Sequence, residues 1–176
     1  SGLIILLGLN KRLKGVAHHN LFFDADWDDH FDGVFERHAW VDTPLFYMSA
    51  PSVTDSSVAP AGHENLFILS PQSGGLQPDK KTLEQTSQSI IKRIESKLGT
   101  SITEHIVYKD VRAQNYFKAT FNAYAGNAFG LAHTLLQTAP LRPRIQSKKL
   151  KNLYYTGQYT NPGTGVPIVT LSGKLV

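Results

Sequence analysis

The chain opens on an uninterrupted apolar run, Leu3-Ile4-Ile5-Leu6-Leu7, and then alternates between short apolar segments and stretches of turn formers. Apolar runs of about four to eight residues bounded by turn residues predict strands. Leu3 to Leu9, Asn20 to Phe23, Leu45 to Ser49 and Leu66 to Leu69 meet that description, and Pro51-Ser52-Val53-Thr54-Asp55-Ser56-Ser57 separates the last two. Trp27 to Arg37 predicts a short helix with Phe31, Val34 and Phe35 on one face. The clearest helix runs from about Asp79 to Leu98. Leu83, Ile90, Ile91, Ile94 and Leu98 recur there at helical spacing, Asp79 suits the N-cap and Gly99 the exit. This helix should cover one face of the sheet.

A further strand is expected at Ile102 to Tyr108, followed by Asn115 to Gly130, which holds Tyr116, Phe117, Phe121, Tyr124 and Phe129 with few charges. These rings either pack a core or wall an apolar cavity; the second reading singles out Tyr124 and Phe129. Pro140-Leu141-Arg142-Pro143-Arg144 then breaks the pattern as a domain crossing would. Beyond it, Leu153-Tyr154-Tyr155 predicts a strand, Gly157 to Pro167 a glycine-rich turn, and Ile168, Leu171 and Leu175 a helix. No internal repeat or low-complexity tract occurs.

Composition narrows the classes. With 176 residues, 41% hydrophobic and 18% charged, the chain suits a globular domain that buries roughly 70% of its unfolded surface. The absence of cysteine rules out disulfides and thiolate metal sites. Apolar runs are too short to cross a bilayer, and no secretory leader pattern is present, so a cytoplasmic location is the default expectation. The chain starts at Ser1-Gly2 without methionine and ends at Val176 inside a helical pattern without a cap, which makes it read as a piece of a larger protein. A formal charge of +4 favours acidic partners. Basic residues gather at Lys11-Arg12-Lys14 and at Arg142, Arg144, Lys148, Lys149 and Lys151. Nucleic acid would require a groove-reading element or stacking platform, and none is recognisable. Anionic lipid headgroups require only the charge, and a solvated basic surface is the plainer alternative.

The predicted strand, glycine-rich turn and helix at Leu153 to Leu175 is the strongest candidate for ligand chemistry. Glycines admit close approach to the main chain, and Pro167 suits a helix N-terminus, whose free N–H groups attract phosphate or carbonyl oxygens. A plain tight turn is the competing reading. As a dinucleotide fingerprint the segment fails, because Ile168 stands where the third glycine belongs. Asp24, Asp26 and Asp28 have the spacing of alternate calcium ligands, but Asp29 and Phe35 fall where a glycine and a glutamate are required. His18-His19 would point to opposite faces of a strand, and no metalloprotease helix or serine nucleophile elbow exists, so no metal site is expected.

Three segments in order carry a family resemblance. Pro51-Ser52-Val53-Thr54-Asp55-Ser56-Ser57-Val58-Ala59-Pro60-Ala61-Gly62 resembles a P-x-x-T-D-x-S-x-A-P-x-G segment. Asn122-Ala123-Tyr124-Ala125-Gly126-Asn127-Ala128-Phe129-Gly130 resembles a second one, ahead of an Arg142-Pro143 crossing. Asn152 to Pro167 resembles a terminal flavin motif, with Asn161 where histidine is usual and Gln158-Tyr159 replacing two small residues. The family is that of phytoene desaturase-type carotenoid desaturases, and the resemblance is to its C-terminal part.

The resemblance implies an α/β architecture: most of an α+β substrate domain with a mixed or antiparallel sheet covered by helices over residues 1–145, with or without segments of the cofactor domain, then the last strand and helix of a Rossmann-like FAD domain over 146–176. The N-terminal Rossmann portion would be absent. It implies FAD held partly by Gly157, Gln158, Gly163, Gly165, Val166 and Pro167, a lipophilic polyene substrate of phytoene or dehydrosqualene type beside Tyr124 and Phe129, and peripheral attachment to membranes. By itself the chain would then be inactive. No residue is nominated as catalytic acid or base. Related flavin-dependent isomerases, ketolases and amine-oxidase-like oxidoreductases share the terminal motif, and a non-catalytic membrane or binding module is the alternative from another class.

Overall fold

The computed structural model describes residues 1–132 and 134–176. The chain divides into two compact units, Ser1–Asn127 and Ala128–Val176. In the first, β1 (Gly2–Leu9), β2 (His19–Phe22), β3 (Phe46–Ser49), β4 (Glu64–Pro71) and β5 (Ile106–Arg112) form one sheet in the order β2-β3-β4-β1-β5. Every ladder is antiparallel. Helices α1 (Trp27–Phe35), α2 (Lys80–Leu98) and α3 (Gln114–Phe121) complete this unit. The expected α+β character is therefore observed in this unit.

Strand alternation builds the core on one side of the sheet. Leu3, Ile5, Leu7 and Leu9 are buried with Leu66, Ile68 and Met48, and Ile90, Ile91 and Ile94 of α2 belong to the same cluster. Each of these isoleucines contributes about 1.5–3 kcal/mol by leaving water. The ends of α2 are set locally, as predicted: the Asp79 carboxylate accepts from the Thr82 N–H at 2.7 Å, and Gly99 takes φ +62 in the left-handed region.

Two polar clamps tie connecting segments to this frame. Arg93 of α2 pairs with Asp24, donates to the Pro44 carbonyl at 2.6 Å and lies over the Phe46 ring at 5.0 Å. The hydrogen bond from Arg93 holds the Asp24 carboxyl below the usual carboxylate range. Glu64, fully buried in β4, accepts from the Ser52 hydroxyl and from the Leu13 N–H at 3.1 Å, with the Arg12 guanidinium 3.5 Å away. Arg12 also donates to the carbonyls of Ser52 and His63. Buried charge is tolerated because it is paired and bonded on several sides, and both ends of the Pro51–Gly62 motif are pinned in consequence.

The expected strand at Ile102 to Tyr108 begins later. Glu95 accepts from the N–H groups of Ile102 and Thr103 at 2.7 Å each, Ile102 is buried in the core, and Thr103–His105 forms a 3-10 turn. In the second unit the expected strand at Leu153 to Tyr155 is reduced to one antiparallel bridge between Tyr154 and Gln146, because a strand exists only through its neighbours and this hairpin supplies one. Helix α4 (Val166–Lys174) follows, with Pro167 in its first turn as expected. The proline-rich crossing lies within this unit, where Arg142 joins its own segment to the one around Thr160.

Candidate functional site

In the second unit the glycine-rich turn is stitched together from behind. Ser172 of α4, fully buried, accepts from the Gly157 N–H at 3.1 Å and lies 3.4 Å from the Thr160 hydroxyl. Thr164 donates to the Phe129 carbonyl at 2.6 Å. Gly163 is buried at φ +142, and a Cβ there would sit 3.7 Å from the Arg142 guanidinium carbon. Gly165, the N-cap of α4, takes φ +112 with no side-chain capping bond, and only Ile168 lies within 4.0 Å of the place a Cβ would occupy. The first turn of α4 thus faces outward, with Gly165, Pro167 and Val166 exposed, the last at 80%. Gly157 and Gln158 are half-buried. A helix start without a side-chain cap and with no Cβ barring approach leaves main-chain N–H groups open to an electron-rich ligand atom.

Arg142 corrects one expectation. Read from sequence it belongs to an exposed basic patch; in the structure it is 3% exposed and donates to the carbonyls of Gln137 at 3.1 Å, Gln158 at 2.6 Å and Thr160 at 3.3 Å. It is a clamp that shapes the turn. Arg144, Lys148, Lys149 and Lys151 remain exposed. Arg12 is likewise engaged by Glu64 and two carbonyls, and Lys11 donates to Thr100. Asp24 is committed to Arg93 and Asp26 caps α1 through the Asp29 N–H. Among the described residues no cluster of metal-binding side chains is present.

The aromatic stretch does not form a closed core. Phe117 is buried, whereas Tyr124 is 84% exposed and Phe129 37% exposed, and these two belong to different units.

The feature that sequence reasoning missed is the second face of the sheet. Residues paired across antiparallel strands share a face. Leu6 pairs with Phe67, Ile4 with Leu69, Leu69 with Tyr47 and Tyr47 with Leu21. A one-sided antiparallel sheet puts polar residues on its outer face, yet here those positions are apolar and only half-buried or, at Leu21, exposed. Toward β5 the character changes to Tyr108, Asp110 and Arg112; the last two are paired at 2.7 Å and Arg112 stacks over Tyr116 at 4.5 Å. Two hollows lie along this side. One, about 390 Å3, runs between Leu6, Gly8, Tyr108 and the Val58-Ala59-Pro60 part of the first motif. The other, about 160 Å3, runs between α1 and Leu21, Tyr47 and Leu69. The uninterrupted Leu3 to Leu7 run was the available signal, because a strand apolar at every position is one that meets something on both faces.

Comparison with known proteins agrees with the motif resemblance. No protein-family model matches the chain. Over 174 residues, 99% of the chain, it is 40% identical to a carotenoid 3,4-desaturase of Haloarcula japonica, of which it covers 35%. It is 35% identical over its whole length to a zeta-carotene-forming phytoene desaturase of Myxococcus xanthus and 35% identical to a 4,4'-diapolycopene oxygenase of a Methylomonas species, covering 34% and 36% of them. The chain spans about a third of the length of the curated relatives it matches. Over that segment the chain is similar to carotenoid and phytoene desaturases.

Proposed function

We propose that this chain forms part of a flavin-dependent desaturase that removes hydrogen across saturated bonds of a phytoene- or dehydrosqualene-type polyene, with the open face of the sheet as a wall of the polyene channel. The observation that carries the reading is the apolar second face through Ile4, Leu6, Phe67, Leu69 and Tyr47. A polyene has no charged handle, so a long apolar surface with few polar groups is the recognition chemistry it requires. Tyr124 in the first unit and, separately, Phe129 in the second, both exposed and apolar in body, are further candidates for contact with a polyene.

FAD, when bound, supplies the acceptor for the hydride. The residues that would hold its ring end are Gly163, Gly165, Val166 and Pro167, with Gly157 and Gln158 behind them, and Arg142 and Ser172 keep that turn in shape. The chain's own contribution is to orient and to exclude water; no side chain is assigned a proton transfer. Peripheral attachment to a membrane is part of the proposal, because the substrate dissolves in lipid and Arg144, Lys148, Lys149 and Lys151 offer headgroup contacts. Among the described residues no helix is long and apolar enough to cross a membrane.

A second reading, oxygenation of an already desaturated polyene, is favoured by the similarity to the Methylomonas oxygenase. Pigment analysis of cells expressing the gene that encodes this chain separates the readings. With phytoene or dehydrosqualene supplied, a desaturase yields products with longer conjugation, an oxygenase alters only supplied diapolycopene, and a non-catalytic module changes neither.

A further inference from the structure

The hollow beside α1 is lined mainly by apolar side-chain surface, and the hydroxyl of Tyr47 on its wall is already hydrogen-bonded to His19. Phe23, Trp27, Phe31, Tyr47 and Leu69 are among its walls, and so is His30. His30 is 1% exposed. Its Nδ1 accepts from the Leu45 N–H at 3.1 Å, which places the proton of the neutral ring on Nε2. Burial keeps the imidazole below its ordinary titration range, against the opposing charge of Asp29, so the ring stays neutral. The Nε2–H has no hydrogen-bond partner among the described residues. A buried donor left unsatisfied is costly, and native folds rarely retain one without a use.

We propose that this hollow binds the end of an isoprenoid chain that carries an oxygen acceptor, with the His30 Nε2–H as its donor. An apolar cavity near 150 Å3 takes a molecule the size of benzene, so a volume of about 160 Å3 suits an end group of roughly six carbons. Leu69 and Tyr47 belong both to the hollow and to the open sheet face, so the remainder of the chain would continue along that face. The inference rests on the reading of that face as a polyene wall and adds to it a selection for oxygenated ends. The same chemistry, an apolar body with one acceptor, is found in an oxygenated polyene and in a prenylated quinone.

The test uses the intact protein and three small probes: methylheptenone, an acyclic isoprenoid ketone; methylheptene, its hydrocarbon counterpart; and a benzoquinone with one prenyl tail. Nitrogen NMR of the His30 ring and the leucine methyls is followed during titration. The ketone should bind about tenfold tighter than the hydrocarbon and move the Nε2–H resonance, as expected when an unpartnered donor gains an acceptor. His30→Asn can keep an acceptor near the Leu45 N–H, while its shorter amide leaves no donor at the Nε2 position, so the tenfold preference should vanish. Tighter binding of the quinone with the same dependence assigns the acceptor to a quinone; tighter binding of the ketone assigns it to a polyene end. Equal affinity for ketone and hydrocarbon, or an unmoved Nε2–H in the wild-type protein, overturns the inference whether or not the variant folds. If no probe shifts the Leu6 or Leu69 methyls, the polyene wall itself is refuted.

Discussion

Replacing Arg142 by alanine removes a guanidinium that the structure places inside the second unit. Three carbonyls, those of Gln137, Gln158 and Thr160, lose their donor together, and the side chain is almost wholly out of solvent. Hydrogen bonds to a charged donor are worth about 1.5–3 kcal/mol each, but the three share one group and carbonyls tolerate under-satisfaction better than N–H groups, so a simple sum overstates the loss. A cost of about 3–5 kcal/mol is the expectation, similar to breaking other buried charged networks. A unit of roughly 50 residues has little stability to spare, so Arg142→Ala should leave Ala128–Val176 largely unfolded while the sheet unit keeps its structure. Limited proteolysis read by mass spectrometry should show cleavages appearing beyond Asn127, and Arg142→Lys should not restore protection because an ammonium cannot reach three acceptors in a planar fork. Unchanged proteolysis combined with weaker binding to anionic vesicles would refute the reasoning and return Arg142 to the surface patch.

Reversing Lys148 and Lys149 to glutamate should lower co-sedimentation with anionic liposomes without altering the melting temperature, since each exposed basic residue near such a surface contributes about 1 kcal/mol; salt-insensitive binding that survives the reversal would contradict it. Gly165→Val should reduce flavin absorbance per purified protein, because φ +112 strains a β-branched residue by about 1–3 kcal/mol and the new side chain projects at the open start of α4; undiminished absorbance would argue against the turn as a flavin contact. Asp24→Asn should destabilise the sheet unit at neutral pH. The folded Asp24 titrates below its unfolded value, so its contribution is fully present above about pH 4 and fades as pH falls through the folded value. The difference between wild type and variant in urea melts should therefore shrink below about pH 4, and a difference that persists in acid would place the stabilisation elsewhere.

What was legible in the sequence was what short-range chemistry decides. Asp79 and Gly99 bound α2 because a cap is made with residues three or four positions away. The strands of the sheet announced themselves by apolar runs, and the Pro167 helix start by its own φ preference. Long-range partners were not legible. Nothing near Arg142 reveals that Gln158 and Thr160 will return to it, and nothing near Ile102 shows that Glu95 will seize its N–H before β5 begins. The open face was half legible: alternation failed at Leu3 to Leu7, but which of those side chains α2 covers depends on strand pairing. The terminal turn was found through its glycines and the resemblance together, while the orphaned Nε2 of His30 depends on Leu45 and could not be anticipated.

The claim that the open sheet face receives the polyene is tested most directly at Leu6, which lies between Phe67 and Asp110 on neighbouring strands and points away from α2. Pigments are extracted from cells supplied with phytoene or dehydrosqualene that express the gene encoding this chain, either unchanged or with Leu6→Asp, and matched for soluble protein and bound flavin. The account predicts conjugated products from the unchanged gene and their loss, or arrest at fewer double bonds, in the variant, because a carboxylate on that face cannot be desolvated by a hydrocarbon. The same product profile from both genes would contradict it.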